Sequence, residues 1–92
     1  MIKKFKSKAL DKLYNHGSAA GIPAASKKRI LGLLDLLEVA EDPKELAIPG
    51  TGYHPLKGDR KGQHSMTVTA NWRLVFEFDG EAFTKIDLED YH

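Results

Sequence analysis

Two of the four histidines, His54 and His92, stand in polar contexts at predicted strand ends, where an imidazole can give or take a proton near neutral pH. Around the first of them, the segment Tyr53-His54-Pro55-Leu56-Lys57-Gly58-Asp59-Arg60-Lys61-Gly62 surrounds a proton-transfer group with three cations in a glycine-flanked loop. Positive charge beside a group that moves protons suits holding and attacking a phosphodiester. Arg73 adds a fourth cation, and strand alternation turns it away from the side taken by Trp72, Leu74 and Phe76. The remaining histidines read as structural. His16, near the end of a first helix, complements the helix dipole, and His64 beside Met66 is expected to be a strand residue with a satisfied ring.

Metal chemistry is not expected. His54, His64, Asp90 and His92 show no recognisable ligand spacing, and the absence of cysteine removes thiolate zinc sites, disulfides and thiol nucleophiles together. Gly58 to Gly62 is no phosphate-binding P-loop, because the Gly-Lys-Ser/Thr ending is missing. No cofactor is expected.

The elements that must position these groups are legible from periodicity. Ile2 to Phe5 forms a short strand, and Ser7 caps a helix carrying Leu10, Leu13 and Tyr14 that Gly17 ends. Pro23 opens a second helix running to about Ala40, with Asp42-Pro43 as its stop. In that helix Ile30, Leu33, Leu34 and Leu37 form the buried face, while Leu31 and Leu36 widen it, as further core or as a partner-binding flank. From Gly52 the period changes to alternation. His64, Met66 and Val68 alternate with Ser65, Thr67 and Thr69. Ala70-Asn71 then turns into Trp72 to Phe78, and Asp79-Gly80 signals a hairpin into a last strand from about Ala82 to Leu88. The resulting architecture is α+β, an N-terminal strand and two helices packed on a mostly antiparallel sheet.

With 92 residues, one domain spanning 1–92 is expected, and the 41% apolar and 29% charged composition is that of a folding, soluble chain. Lysines follow the N-terminal Met1 to Phe5 where a signal peptide needs an apolar stretch, and no apolar run reaches membrane-spanning length. A cytoplasmic protein without membrane contact is the expectation. The net charge of +1 hides segregation, with +7 over residues 1–30, −4 over 31–50, +3 over 51–75 and −5 over 76–92. Clustered positive charge attracts a polyanion even in a nearly neutral chain, although many of the lysines simply belong to a solvated helix face.

The stretches His54-Pro55-Leu56-Lys57-Gly58-Asp59-Arg60-Lys61-Gly62, Ala70-Asn71-Trp72-Arg73-Leu74 and the terminal Asp90-Tyr91-His92 together resemble the HigB toxins, also called plasmid maintenance killer proteins, of the RelE/ParE superfamily. The resemblance runs through the whole chain, and the Asp-Tyr-His ending is its most discriminating piece. It implies a toxin of a type II toxin-antitoxin system, an endoribonuclease that enters the ribosomal A site, cleaves translated mRNA and slows growth. It also implies a HigA-type helix-turn-helix antitoxin, through which alone the toxin would reach operator DNA. Carried over by residue, it places His54, Asp90, Tyr91 and His92 in a catalytic group. Lys57 and Arg73 become phosphate-contacting or transition-state cations and Asn71 a contact to the mRNA, while Arg60 and Lys61 of the same loop are expected to bind RNA phosphate by their charge.

In such a site one of His54 and His92 acts as base and the other as acid, while Lys57 and Arg73 stabilise the phosphorane. Asp90 tunes a neighbouring histidine and Tyr91 stacks or hydrogen-bonds near the scissile bond. Two other function classes stand beside this reading: a ParE-like gyrase poison on the same fold, for which the His/Asp/Tyr group would be superfluous, and a non-enzymatic RNA-binding module, for which the basic patch would suffice.

Overall fold

The computed structural model describes residues 1–90; Tyr91 and His92, both expected at the site, lie outside the described residues. Helix α1 spans Lys8–His16, with the Ser7 hydroxyl accepting from the Leu10 N–H at 3.1 Å. Gly17 ends it in the left-handed region (φ 70°), where the Gly17 and Ser18 N–H groups bond the Leu13 and Lys12 carbonyls. The second helix begins later than Pro23. A tight 3-10 turn over Ala24–Ser26, closed by a bond from the Ser26 N–H to the Pro23 carbonyl, precedes α2 at Lys27–Val39. Ala40 is extended, and the Asp42 carboxylate receives the Lys44 N–H at 2.8 Å, so the expected stop holds.

The sheet is an antiparallel meander of β1 (His54–Pro55), β2 (Gln63–Thr67), β3 (Trp72–Phe78) and β4 (Phe83–Asp90), hydrogen-bonded in that order. Strand β2 stops short of Thr69, because the Val68 and Thr69 N–H groups both turn to the Trp72 carbonyl. The Thr69 hydroxyl accepts from the Asn71 and Trp72 N–H groups, which tightens the turn and leaves Asn71 exposed at its tip. At the next hairpin Gly80 has φ 97°, as expected of Asp79-Gly80. The Asp79 carboxylate accepts from the Ala82 and Glu81 N–H groups at 2.9 Å and from Lys3, which together lower its pKa to about 2.

The N-terminal segment does lie against the sheet, but as a parallel neighbour on the outer edge of β4. Ile2 bridges Phe83 and Phe5 bridges Ile86, with Lys3 N–H to Phe83 carbonyl and Phe83 N–H to Met1 carbonyl bonds of 2.8 Å. A bulge interrupts the pairing of β3 with β4 between Val75 and Glu77, and Lys85 there takes φ 54°. The extra residue lets Phe83 and Ile86, three apart, both be fully buried. Leu10 and Leu13 of α1, Ile30, Leu33, Leu34 and Leu37 of α2, and Met66, Leu74, Phe76, Phe83 and Ile86 of the sheet form one core. Leu31 and Leu36 are partly buried against it. The helices therefore cover one sheet face, and the opposite face is left for His54, Ser65, Arg73 and Glu89. No helix among the described residues is long and apolar enough to cross a membrane.

Candidate active site

His54 and Ser65 are direct cross-strand partners on β1 and β2. Ser65 pairs in turn with Val75, and Thr67 with Arg73. Side chains paired in this way share a sheet face, so register alone gathers His54, Ser65, Thr67 and Arg73 on the face opposite the helices. They line one pocket of about 180 Å³ together with Thr69, Ala70 and Trp72. Asp90, at the end of β4, pairs with Trp72, and Glu89 pairs with Arg73, so the last described residues of β4 are strand neighbours of two pocket-lining residues.

The imidazole of His54 is held at both nitrogens. Its Nδ1 lies 3.2 Å from the Gly52 carbonyl, and its Nε2 lies 3.4 Å from the Ser65 hydroxyl. A carbonyl only accepts, so Nδ1 carries the proton and, in the neutral ring, the Nε2 lone pair faces the Ser65 hydroxyl, which lines the same pocket. Gly52 needs its glycine: φ is 62°, and a Cβ would fall 2.4 Å from the Thr67 hydroxyl oxygen.

A family model described as the RelE-like toxin of the type II toxin-antitoxin system HigB matches residues 3–92. The chain belongs to that family. Endoribonuclease HigB of Proteus vulgaris is 44% identical over 93 residues, covering all of both chains. Toxin HigB-1 of Vibrio cholerae serotype O1 is 32% identical over 95 residues, covering 99% of this chain and all of that one. The fold expected from periodicity, helices on one face of a mostly antiparallel sheet, is the fold found for this HigB-family chain.

Among the site residues expected from sequence, His54 and Arg73 share the pocket, and Asp90 is the cross-strand partner of Trp72, which also lines it. Asn71 is on the exposed turn that leads into β3. Lys57 and Lys61 flank a 3-10 turn, Gly58–Arg60, with both side chains exposed. Arg60 is differently engaged. Its Nη1 and Nη2 donate to the two carboxylate oxygens of Glu89 at 2.9 and 2.5 Å, and its Nε donates to the Gln63 side-chain oxygen at 2.7 Å. Only one proton on each terminal nitrogen remains for anything else. That pairing holds the Glu89 carboxyl below the usual glutamate range.

Sequence reasoning missed Ser65 and Glu89. Alternation within β2 placed Ser65 on the face away from Met66, but nothing in the order of residues told which strand would lie beside it. Glu89 stood out no more than its acidic neighbours.

His64 is structural, as expected. Its Nδ1 is 2.8 Å from the Tyr53 hydroxyl, and the ring stacks between Tyr53 and Phe76 with centroids 5.8 and 5.7 Å away. Burial pushes its pKa below the ordinary 6.5, against an opposing pull from Glu77. The unfolded chain therefore takes up this proton before the folded one does, and stability drops as pH falls from about 6.5 toward the lowered folded value. Thermal melts of wild type and His64→Phe between pH 7.5 and 5 test this: the variant should show a shallower fall in Tm, and parallel slopes would show that the acid sensitivity lies elsewhere.

Proposed function

We propose that this HigB-family toxin is an endoribonuclease that cleaves mRNA in the ribosomal A site by metal-independent acid/base catalysis. The observation that carries the reading is the pocket shared by His54 and Arg73, with Asp90 the strand neighbour of its lining residue Trp72. The name of the Proteus vulgaris relative supports the same activity.

Cleavage within RNA needs a base for the 2′-hydroxyl proton, positive charge at the phosphorane and an acid for the departing 5′-oxygen. His54, with its Nδ1 proton on the Gly52 carbonyl and its Nε2 lone pair at the pocket-lining Ser65 hydroxyl, is assigned the base. The 2′-oxygen then attacks phosphorus, the bond to the 5′-oxygen breaks, and His92 protonates the leaving oxygen. The products are a 2′,3′-cyclic phosphate and a 5′-hydroxyl. Arg73 faces the phosphorane, Asp90 tunes a histidine, and Tyr91 stacks on a base or hydrogen-bonds beside the bond being broken. Lys57 and Lys61 hold the RNA backbone, and Asn71 meets the mRNA from the turn before β3. The acidic carboxyl-terminal strand limits the overall field, so ribosome attraction falls to local cations at residues 3–12, 27–29 and 57–61.

The cellular partner proposed is a HigA-type helix-turn-helix antitoxin, which neutralises the toxin and carries it to operator DNA. The place of action is the cytoplasm, where translating ribosomes are.

The test is a reconstituted translation system programmed with one mRNA, comparing wild type with His92→Ala, alongside ribosome-free RNA in EDTA. Cutting that needs the ribosome, persists in EDTA and is lost in the variant is the expected result. Growth inhibition without cutting in any ribosomal state would move the assignment to a gyrase poison. RNA binding without cutting or toxicity would leave a binding module.

A further inference from the structure

Beyond the bond from the Leu56 N–H to the Gln63 carbonyl that closes its base, the loop carrying Lys57 and Lys61 is tied down by one arginine side chain. Among the described residues, no other side chain in 57–61 makes a hydrogen bond or ion pair, and the loop's own backbone bonds are the short closures Arg60 to Lys57 and Lys61 to Gly58. The Arg60 guanidinium reaches out of this loop across the open face of the sheet. One side is anchored on Gln63, the first residue of β2, and the other on Glu89, the partner of Arg73 near the end of β4. The register places Ser65 and Val75 in the row between those anchors, and they are only 1% and 3% exposed despite facing away from the helices.

We propose that the Arg60–Glu89 pair is a latch that positions the Lys57–Lys61 loop against the strand ends bearing Arg73 and Asp90, making both members positioning residues for RNA cleavage. The inference rests on the RNA-cleaving reading given above. Two parallel N–H···O bonds between a planar guanidinium and a carboxylate fix orientation as well as distance, which a single contact cannot do. Partly exposed ion pairs contribute little to stability, so the consequence of this one is geometric. Electrostatics sets a cost against the pair. A carboxylate beside Arg73 weakens attraction for a phosphate, and its charge is felt there, since Arg73 helps to hold Glu89 ionised. The geometric gain offsets that cost if the latch sets the spacing between the cationic loop and the reacting groups. Displacement by about 1 Å can cost about 100-fold in rate.

The experiment measures kcat and KM for mRNA cleavage in the reconstituted translation system, with Tm alongside, for Glu89→Gln, Arg60→Glu, Glu89→Arg and the double swap Arg60→Glu/Glu89→Arg. His54→Ala serves as control. The expected result is a fall in kcat of about 10- to 100-fold in each single variant, with Tm little changed, and recovery of most of it in the swap. A phosphate-contacting Arg60 would behave otherwise: the swap would stay as slow as Arg60→Glu, and Glu89→Gln would tighten KM with kcat intact. Either pattern overturns the latch, as does a loss of Tm in Glu89→Gln with unchanged kcat, which marks a purely structural pair. If the swap does not fold, kcat of Glu89→Gln decides alone. Cleavage surviving in His54→Ala would instead overturn the site reading, separately from the latch.

Discussion

Replacing His54 with alanine is expected to lower the cleavage rate by about 10² to 10⁴, the usual contribution of a general base, while leaving the protein folded. The side chain is exposed and its ring contacts are a backbone carbonyl and a serine hydroxyl, so its loss opens no core cavity. The readouts are single-turnover cleavage and Tm of the same preparation. His92→Ala should act at the other proton transfer, and pH–rate profiles divide the roles. Loss of the acidic limb in His54→Ala and of the basic limb in His92→Ala fits the assignment, and the converse exchanges the two histidines. Full activity in the double alanine variant would remove both from the chemistry.

The largest stability effect is expected at Phe83. It is completely buried, meets Phe76 edge-on with centroids 5.6 Å apart and Phe78 at 4.9 Å, and its backbone joins the N-terminal segment to β4. Truncating such a phenylalanine costs about 3–5 kcal/mol through lost burial and the cavity left behind. Domains of this size are typically stable by about 5–15 kcal/mol, so Phe83→Ala should lose a large share of its folded margin. Urea unfolding of the variant measures it. A change below about 1 kcal/mol would mean that the N-terminal segment does not pair with β4 to form the sheet edge.

How much of this was legible depended on whether the governing interaction was local. The cap at Ser7, the glycine stop at Gly17, the buried face of α2 and the Asp79-Gly80 hairpin follow from short-range chemistry, and all are found. Helix α2 starts at Lys27 and not at Pro23, because Pro23 is equally compatible with a 3-10 turn and an α-helical first turn. The parallel placement of residues 2–5 beside β4 joins the two ends of the chain, and no periodicity encodes which edge a first strand takes. Simple alternation back from Leu88 would also have put Thr84 inside and Phe83 outside; the bulge at Lys85 reverses this.

The site divides along the same line. By itself the sequence determined which chemistries were available, since residue types do not depend on folding: proton-transferring histidines, cations beside them, no thiols, and motifs enough to indicate the HigB family. It also placed Arg73 on the side of β3 away from the core, because alternation is a property of one strand. Only the tertiary structure decided that His54, Ser65 and Arg73 share a pocket, that Gly52 sets the proton on His54, and that Arg60 spends its guanidinium on Glu89. The reason is register. Which residues face one another across neighbouring strands is settled by the packing of the whole sheet on its helices, and a slip of a single residue would have turned every one of these side chains to the other face.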